Sequence, residues 1–272
     1  ASLVADHFRA PAHEVQLFSR TAGQGFHTLN DLAAGRGLGA GTILHLAWST
    51  LPATSESQPG IESTHDLPLL ARLLDAVGRS PDRTRLHFVF FSSGGTVYGN
   101  APGRPNVESD PCRPISCYGR AKCAAEQLIE AQAEQFGLAC TILRVSNPYG
   151  YPVPKSRAQG LIPHALRCAV EGQPLTLWGD GSARKDFLYY ADFLSALELV
   201  VARRLTGIYN LSAGESHHVS EVIRLVMEHT GRTVQLETRP APVWDVHDSL
   251  LDNSRFVTAT GWKPQVSLPE GI

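Results

Sequence analysis

The chain has 272 residues, of which 43% are hydrophobic and 18% charged, with a formal net charge of -2. That length suits one α/β domain with a smaller appended lobe, and the balance of charge excludes both a basic nucleic-acid surface and a disordered acidic chain, so small molecules are the expected partners. No run approaches the ~20 apolar residues of a membrane span, and the five cysteines (Cys112, Cys117, Cys123, Cys140, Cys168) lack zinc-like spacing, so a reduced cytoplasmic protein is expected.

In chain order, Ser2 to Arg9 reads as a helix and His13 to Phe18 as a strand. Thr42 to Ala47, Leu86 to Phe91 and Ala139 to Leu143 follow as strands, alternating with helices at Leu67 to Val77 and Tyr118 to Gln135. Short β-branched and aromatic runs alternating with helical periods are the pattern of parallel strands joined by crossover helices. Ala121, Ala124, Ala125, Leu128 and Ile129 give the last helix a face that can pack on a sheet, and Gly137 is its stop signal. After Gly150 the Pro-rich stretch Tyr151-Pro152-Val153-Pro154-Lys155 opens a second texture of short strands and helices. The expected organisation is a doubly wound parallel sheet over 1–150 and a smaller α/β lobe over 151–272, part of 185–205 returning to the first domain. The chain starts inside a helical pattern at Ala1 and ends as Leu268 to Ile272 opens a further segment, so trimming at both ends is expected.

The chemistry centres on Tyr118-Gly119-Arg120-Ala121-Lys122, where a Tyr and a Lys four apart share one helical face. A phenol is a poor base at neutral pH, and a fixed ammonium beside it favours the phenolate, so Lys122 is expected to make Tyr118 usable as an acid/base group. Upstream, the strand ending at Phe91 runs into Ser92-Ser93-Gly94-Gly95-Thr96-Val97-Tyr98-Gly99. The carboxyl end of a parallel strand is where ligands bind in open α/β sheets, and small residues there would let a flat ring approach the backbone.

These motifs occur in order with His45-Leu46-Ala47, Leu143-Arg144-Val145-Ser146-Asn147-Pro148-Tyr149-Gly150, Gly179-Asp180-Gly181, Lys185-Asp186-Phe187, Asp192, Tyr209-Asn210 and Gly261-Trp262-Lys263-Pro264. In that order the chain resembles the extended short-chain dehydrogenase/reductases, specifically the NAD-dependent epimerase/dehydratase family. The resemblance implies a Rossmann-type fold, NAD or NADP as cofactor and a nucleotide-sugar substrate. It implies that Tyr118 removes a proton from a sugar hydroxyl and that Lys122 binds the nicotinamide ribose, with Ser93 or Thr96 supplying a hydroxyl to the reacting oxygen. Ser19, Arg20, Leu46, Ala47, Trp48 and Ser92 fall at cofactor-binding positions. Thr96, Asn147, Lys185 and Arg239 fall at or near substrate-binding ones. Pairing through two helices, Leu67 to Val77 and Tyr118 to Gln135, is implied for a homodimer.

The chain departs from that family in several places. The first strand and its glycine-rich pyrophosphate turn do not appear, and would lie upstream of Ala1. Ser19-Arg20 replaces the acidic residue that selects NAD, which suits a 2′-phosphate. Gly94 stands where a Ser or Thr is common, Asp66 where an Asn is common, Lys185 where an Arg is usual, and Arg239 near the position of a phosphate-binding Arg. Three functions follow: a nucleotide-sugar 4-epimerase; an NADPH-dependent 4-keto-sugar reductase, favoured by Arg20; and a non-catalytic nucleotide-sugar-binding scaffold. Dehydration is disfavoured because Gly95 and Thr96 stand where an Asp-Glu pair is needed. The eleven His residues, including His217-His218, offer no pair with metal spacing and a third ligand, so no metal is expected. Tyr98 and Trp178 suit core packing or sugar stacking equally.

Overall fold

The computed structural model describes residues 2–9, 13–21, 26–101, 103–152 and 160–272; Ala1, and Val153 to Lys155 of the Pro-rich stretch, lie outside the described residues. The opening elements are α1 (Ser2–Phe8), β1 (Phe18–Ser19), β2 (His27–Thr28), α2 (Leu29–Ala33) and β3 (Gly41–His45). Next come α3 (Pro52–Ser57), a π-helical turn (Glu62–Asp66), α4 (Leu67–Arg79), β4 (Leu86–Ser93), α5 (Gly94–Val97), α6 (Cys117–Phe136) and β5 (Ala139–Val145). The remainder holds β6 (Asn147–Tyr149), α7 (Leu161–Glu171), β7 (Leu175–Trp178), β8 (Arg184–Tyr189), α8 (Tyr190–Arg203), β9 (Gly207–Leu211), β10 (Ser216–His218), α9 (Val219–Thr230), β11 (Leu236–Arg239), α10 (Ser254–Thr260) and α11 (Leu268–Gly271).

Two compact units emerge, and neither is continuous in sequence. The first takes residues 1–92, 116–143 and 197–208; the second takes 93–115, 144–196 and 209–272. The expected division at 150 is not the one these units follow: residues 93–115 and the stretch from Arg144 to Ala196 fall in the second unit. Of the expected return segment, 197–205 lies in the first unit.

In the first unit β3 and β4 are parallel, with Leu44 opposite Val89; the order of the four-stranded sheet is β3-β4-β5-β9. Leu86 to Phe90 are all buried, as expected for a strand covered on both faces. Leu70, Leu73, Leu74 and Val77 of α4, Phe88 and Phe90 of β4, Ala125 and Ile129 of α6 and Ile142 of β5 form one core, each large side chain contributing about 1.5–3 kcal/mol on burial. The chain from His13 to Leu17 is not paired as a strand; only Phe18 and Ser19 are, against His27 and Thr28.

Helix α6 is fixed at both ends. Ser116 caps it by accepting the Gly119 N–H at 3.0 Å, the Glu56 carboxylate accepts the Cys117 N–H, and Gly137 closes it in the left-handed region at φ 66°. Its inward face differs from the expected one: Lys122, Cys123 and Glu126 are buried, whereas Ala121 and Ala124 are only half-buried. Two charged side chains thus occupy positions that an apolar period alone would assign to packing.

In the second unit, β6, β8 and β10 form a three-stranded sheet and β7 pairs in parallel with β11. Ala165, Cys168, Leu175, Leu177, Ile223 and Val226 make one core cluster; Tyr149, Ile162, Phe187, Val222 and Leu225 make another. Among the described residues no helix is long and apolar enough to cross a membrane, and no group of three or more His, Cys, Asp or Glu could hold a metal ion.

Candidate active site

Lys122 is 4% exposed. Its Nζ donates to the main-chain oxygen of Phe91, near the carboxyl end of β4, at 2.9 Å. The ammonium lies 3.9 Å from the centroid of the Trp48 ring, 4.7 Å from Phe90 and 5.6 Å from Tyr118, a walled site in which cation–π attraction offsets part of the lost hydration. Burial pushes its pKa down to about 7, against the pull of Asp66, Glu126 and Glu62. Tyr118 occupies the second position of α6, one turn from Lys122, so the helix places the pair side by side as the spacing requires.

The expected lowering of the Tyr118 pKa does not prevail in this environment. Burial raises the Tyr118 pKa, and the negative charges of Glu62 and Asp66 raise it further, so this environment favours the phenol form. The spacing of Tyr118 and Lys122 is local, whereas the two carboxylates arrive from a turn more than fifty residues upstream.

Around the pair, Ser92 is buried and donates its hydroxyl to Glu126, which commits it to the interior of the unit instead of a ligand. His45 stacks on Phe88 and Phe90 at 5.8 and 6.1 Å; burial and the Lys122 charge lower its pKa to about 4, so it stays neutral. Leu46, Ala47 and Trp48 follow β3 half-buried, and the Trp48 indole N–H is buried without a hydrogen-bond partner. Arg20 is exposed and donates to the Ser49 hydroxyl; Ser49 in turn donates its main-chain N–H and hydroxyl to Asp66 at 3.0 and 2.9 Å. Ser19 turns its hydroxyl onto the Thr21 carbonyl.

The residues fit a nicotinamide ribose at Lys122. An ammonium has three donors, and among the described residues only one is taken by an oxygen, which leaves capacity for a vicinal diol.

The other expected site residues lie in the second unit. Thr96 has a buried hydroxyl without a hydrogen-bond partner, which keeps it available, and Ser93 precedes α5 half-buried. Asn147 donates from Nδ2 to the Asp186 main-chain oxygen at 2.8 Å. Lys185 is bound to Asp245 at 2.9 Å and to the Val246 carbonyl, so its charge is already shared with a carboxylate. Arg239 is exposed, 3.9 Å from Glu237 and 6.0 Å from the Trp178 ring, with partners different from those of Lys185. Tyr98 is a core residue, its hydroxyl donating to Asn210 and accepting from Arg144, each at 2.7 Å; Trp178 is half exposed.

Gly94 is required by packing, not by an approaching ring: a Cβ there would lie 2.3 Å from Leu251 and 2.9 Å from the Arg144 carbonyl. Gly94→Ser is therefore expected to cost about 1–3 kcal/mol, read as a lower denaturation midpoint; an unchanged midpoint would contradict this packing. A Cβ on Gly95 would meet only Ser249 and Asn147 at 3.7 to 4.0 Å, ordinary contact that leaves room beside the Asn147 amide. Sequence reasoning missed Ser249, whose hydroxyl is buried without a partner, and Glu62, buried at 2% exposure. The i,i+4 pair Glu62/Asp66 was the signal available for the latter.

The α/β fold with its parallel sheet is that of the extended short-chain dehydrogenase/reductases. Within that class the chain belongs to the NAD dependent epimerase/dehydratase family, whose profile matches residues 29–212; this is a family of NAD(P)-dependent enzymes. UDP-glucose 4-epimerase of Mycolicibacterium smegmatis is 28% identical over 231 residues, covering 85% of this chain and 73% of that one. The solved UDP-glucose 4-epimerase of Thermotoga maritima with UDP-glucose is similar over 99% of this chain and 92% of that one, at TM-score 0.88 and 25% identity. That of Thermus thermophilus in complex with NAD is similar over 89% and 79%, at TM-score 0.80 and 28% identity.

Proposed function

We propose that the protein is a nucleotide-sugar 4-epimerase that uses Tyr118 as proton acceptor and donor at a sugar hydroxyl, with Lys122 holding the ribose of NAD or NADP. The observation that carries this reading is the buried Lys122 ammonium, held under the Phe91 carbonyl beside Tyr118 and with donors to spare. Similarity to UDP-glucose 4-epimerases supports the substrate class. The nicotinamide, when bound, supplies hydride transfer.

The protein's residues do the rest. Lys122 orients the ribose through its uncommitted N–H bonds, and Tyr118, in its phenolate form, takes the proton from the sugar hydroxyl on oxidation and, as the phenol so formed, returns it on reduction. Trp48 and Phe90 exclude water from the ammonium. In the second unit, Thr96 offers its hydroxyl to the sugar, and Asn147 and Lys185 bind the diphosphate. Arg239 is a weaker candidate because Trp178 and Glu237 engage it.

An NADPH-dependent 4-keto-sugar reductase is the second reading. It is favoured by Arg20, exposed and suited to a 2′-phosphate, and by the neutral phenol of Tyr118, which is already a proton donor. Incubation of the full chain with UDP-glucose and NAD, with sugar products resolved by chromatography, separates the two. Formation of UDP-galactose without added reduced cofactor is expected. NADPH consumption in proportion to product from a 4-keto-sugar would replace the epimerase with the reductase, and neither activity would remove both.

A further inference from the structure

Lys122 sits where an ammonium is poorly hydrated. It has one oxygen partner, two close aromatic rings and 4% exposure. Removing an ammonium from water costs several kcal/mol, and ring faces return only part of that. Two carboxylates lie on the adjoining π-helical turn, four residues apart and so on one side of it. Helical turns of this wide type are rare and frequent at functional sites.

Both carboxylates are buried, Glu62 at 2% and Asp66 at 5% exposure. Glu62 accepts the Thr50 hydroxyl. Asp66 commits only one oxygen, Oδ1, to the Ser49 N–H and hydroxyl; Oδ2 is buried with no hydrogen-bond partner. An orphaned carboxylate oxygen is costly in the interior unless a nearby charge compensates it, and the segment Trp48 to Thr50 joins the turn to the lysine: Ser49 binds Asp66, Thr50 binds Glu62, and the Trp48 ring lies 3.9 Å from the Lys122 ammonium.

We propose that Glu62 and Asp66 are positioning residues for the Tyr118–Lys122 pair: together they supply the negative charge that favours the ammonium form of Lys122 in its aromatic pocket. The inference rests on reading that pair as the acid/base couple and concerns this chain's own departure at Asp66. The other groups facing Lys122 do not do this alone. His45, on β3, is neutral and cannot attract it; Tyr118 is uncharged; Glu126, on the same helix, takes the Ser92 hydroxyl and contributes in the same sense as the turn. Burial raises the Asp66 pKa, and Arg20, reaching it through Ser49, opposes that by drawing Asp66 toward ionisation, in the same sense as the turn.

The chain contains only four lysines, Lys122, Lys155, Lys185 and Lys263, so lysine labelled with 13C at Cε gives a spectrum in which Lys122 is identified by its loss in Lys122→Arg. Its ionisation midpoint is then read by NMR with neither nucleotide nor sugar present, independently of any catalytic reading. Asp66→Asn and Glu62→Gln, made separately, are each expected to lower that midpoint by about one pH unit, as loss of one nearby opposite charge does. Asparagine in place of Asp66 retains an oxygen for the Ser49 N–H, so the loop is preserved. Asp75→Asn, which removes an exposed carboxylate paired with Arg79, leaves the midpoint unchanged. A Lys122 midpoint that stays put in both folded variants overturns the proposal, and so does an equal shift in Asp75→Asn. If one variant fails to fold, the other still decides.

Discussion

Tyr118→Phe is expected to lower kcat by roughly 10²–10⁴-fold, the usual contribution of a positioned acid/base group, with little change in KM or in denaturation midpoint. Phenylalanine keeps the aromatic ring that stands 5.6 Å from the Lys122 ammonium and removes only the hydroxyl. The helix start survives as well, because it depends on Ser116 and Glu56, neither of which touches the phenol oxygen. A loss confined to kcat would place the hydroxyl in the transition state and not in ground-state binding. Steady-state kinetics beside a circular dichroism melt check this. An activity within tenfold of the wild type would exclude Tyr118 as the proton-transfer group and leave the pair a structural one.

Asp186→Asn should flatten the dependence of stability on pH. Asp186 is fully buried, with Oδ1 accepting the Ala213 N–H at 3.1 Å and Oδ2 without a partner. Burial raises its pKa from 3.8 to about 7, more than the N–H groups of Ala213 and Gly214 and the Ser146 hydroxyl lower it. A carboxyl whose folded pKa lies above its unfolded one stabilises the fold fully below the unfolded value, and that contribution fades as pH rises through the folded value. Wild-type stability from this residue is therefore expected to fall between about pH 4 and pH 7 and to level off above, the full span being on the order of 4 kcal/mol. Asparagine keeps an acceptor for Ala213 and carries no charge. Above pH 7 the variant should match or exceed the wild type, and its melting temperature should lose the acid-to-neutral decline. Parallel thermal melts from about pH 4.5 to 8.5, spanning that window, give the answer; identical slopes in the two proteins would mean that Asp186 is ionised throughout. Because the Asp186 carbonyl holds the Asn147 amide, the same residue links strand β8 to a proposed diphosphate contact.

Much of the first unit was legible from periodicity. The strands at Leu86 and Ala139 lie where continuous apolar runs place them, each extended by two residues, and α4 and α6 begin and end within two residues of expectation. Those boundaries are local: they depend on Ser116, Gly137 and the helical period. The strand at His13 does not form as expected, because an apolar alternation has meaning only with a neighbour to pair with, and only Phe18 and Ser19 find one. Ser92, read as a cofactor-binding position, has its hydroxyl on Glu126; nothing in a run of Ser and Gly tells which serine faces which way.

The sequence by itself determined the alternating α/β pattern, the family, and the placing of Tyr118 and Lys122 one turn apart, since all three are read from spacing and order along the chain. Only the tertiary structure decided the sign of the environment around that pair. Whether Tyr118 is a base or an acid depends on how deeply it is buried and on which charges reach it, and those charges come from Glu62 and Asp66 through packing that no local pattern encodes. The same holds for Gly94, where the space for a side chain is taken by Leu251, and for Lys185, whose expected freedom to meet a phosphate is limited by Asp245, sixty residues further along the chain.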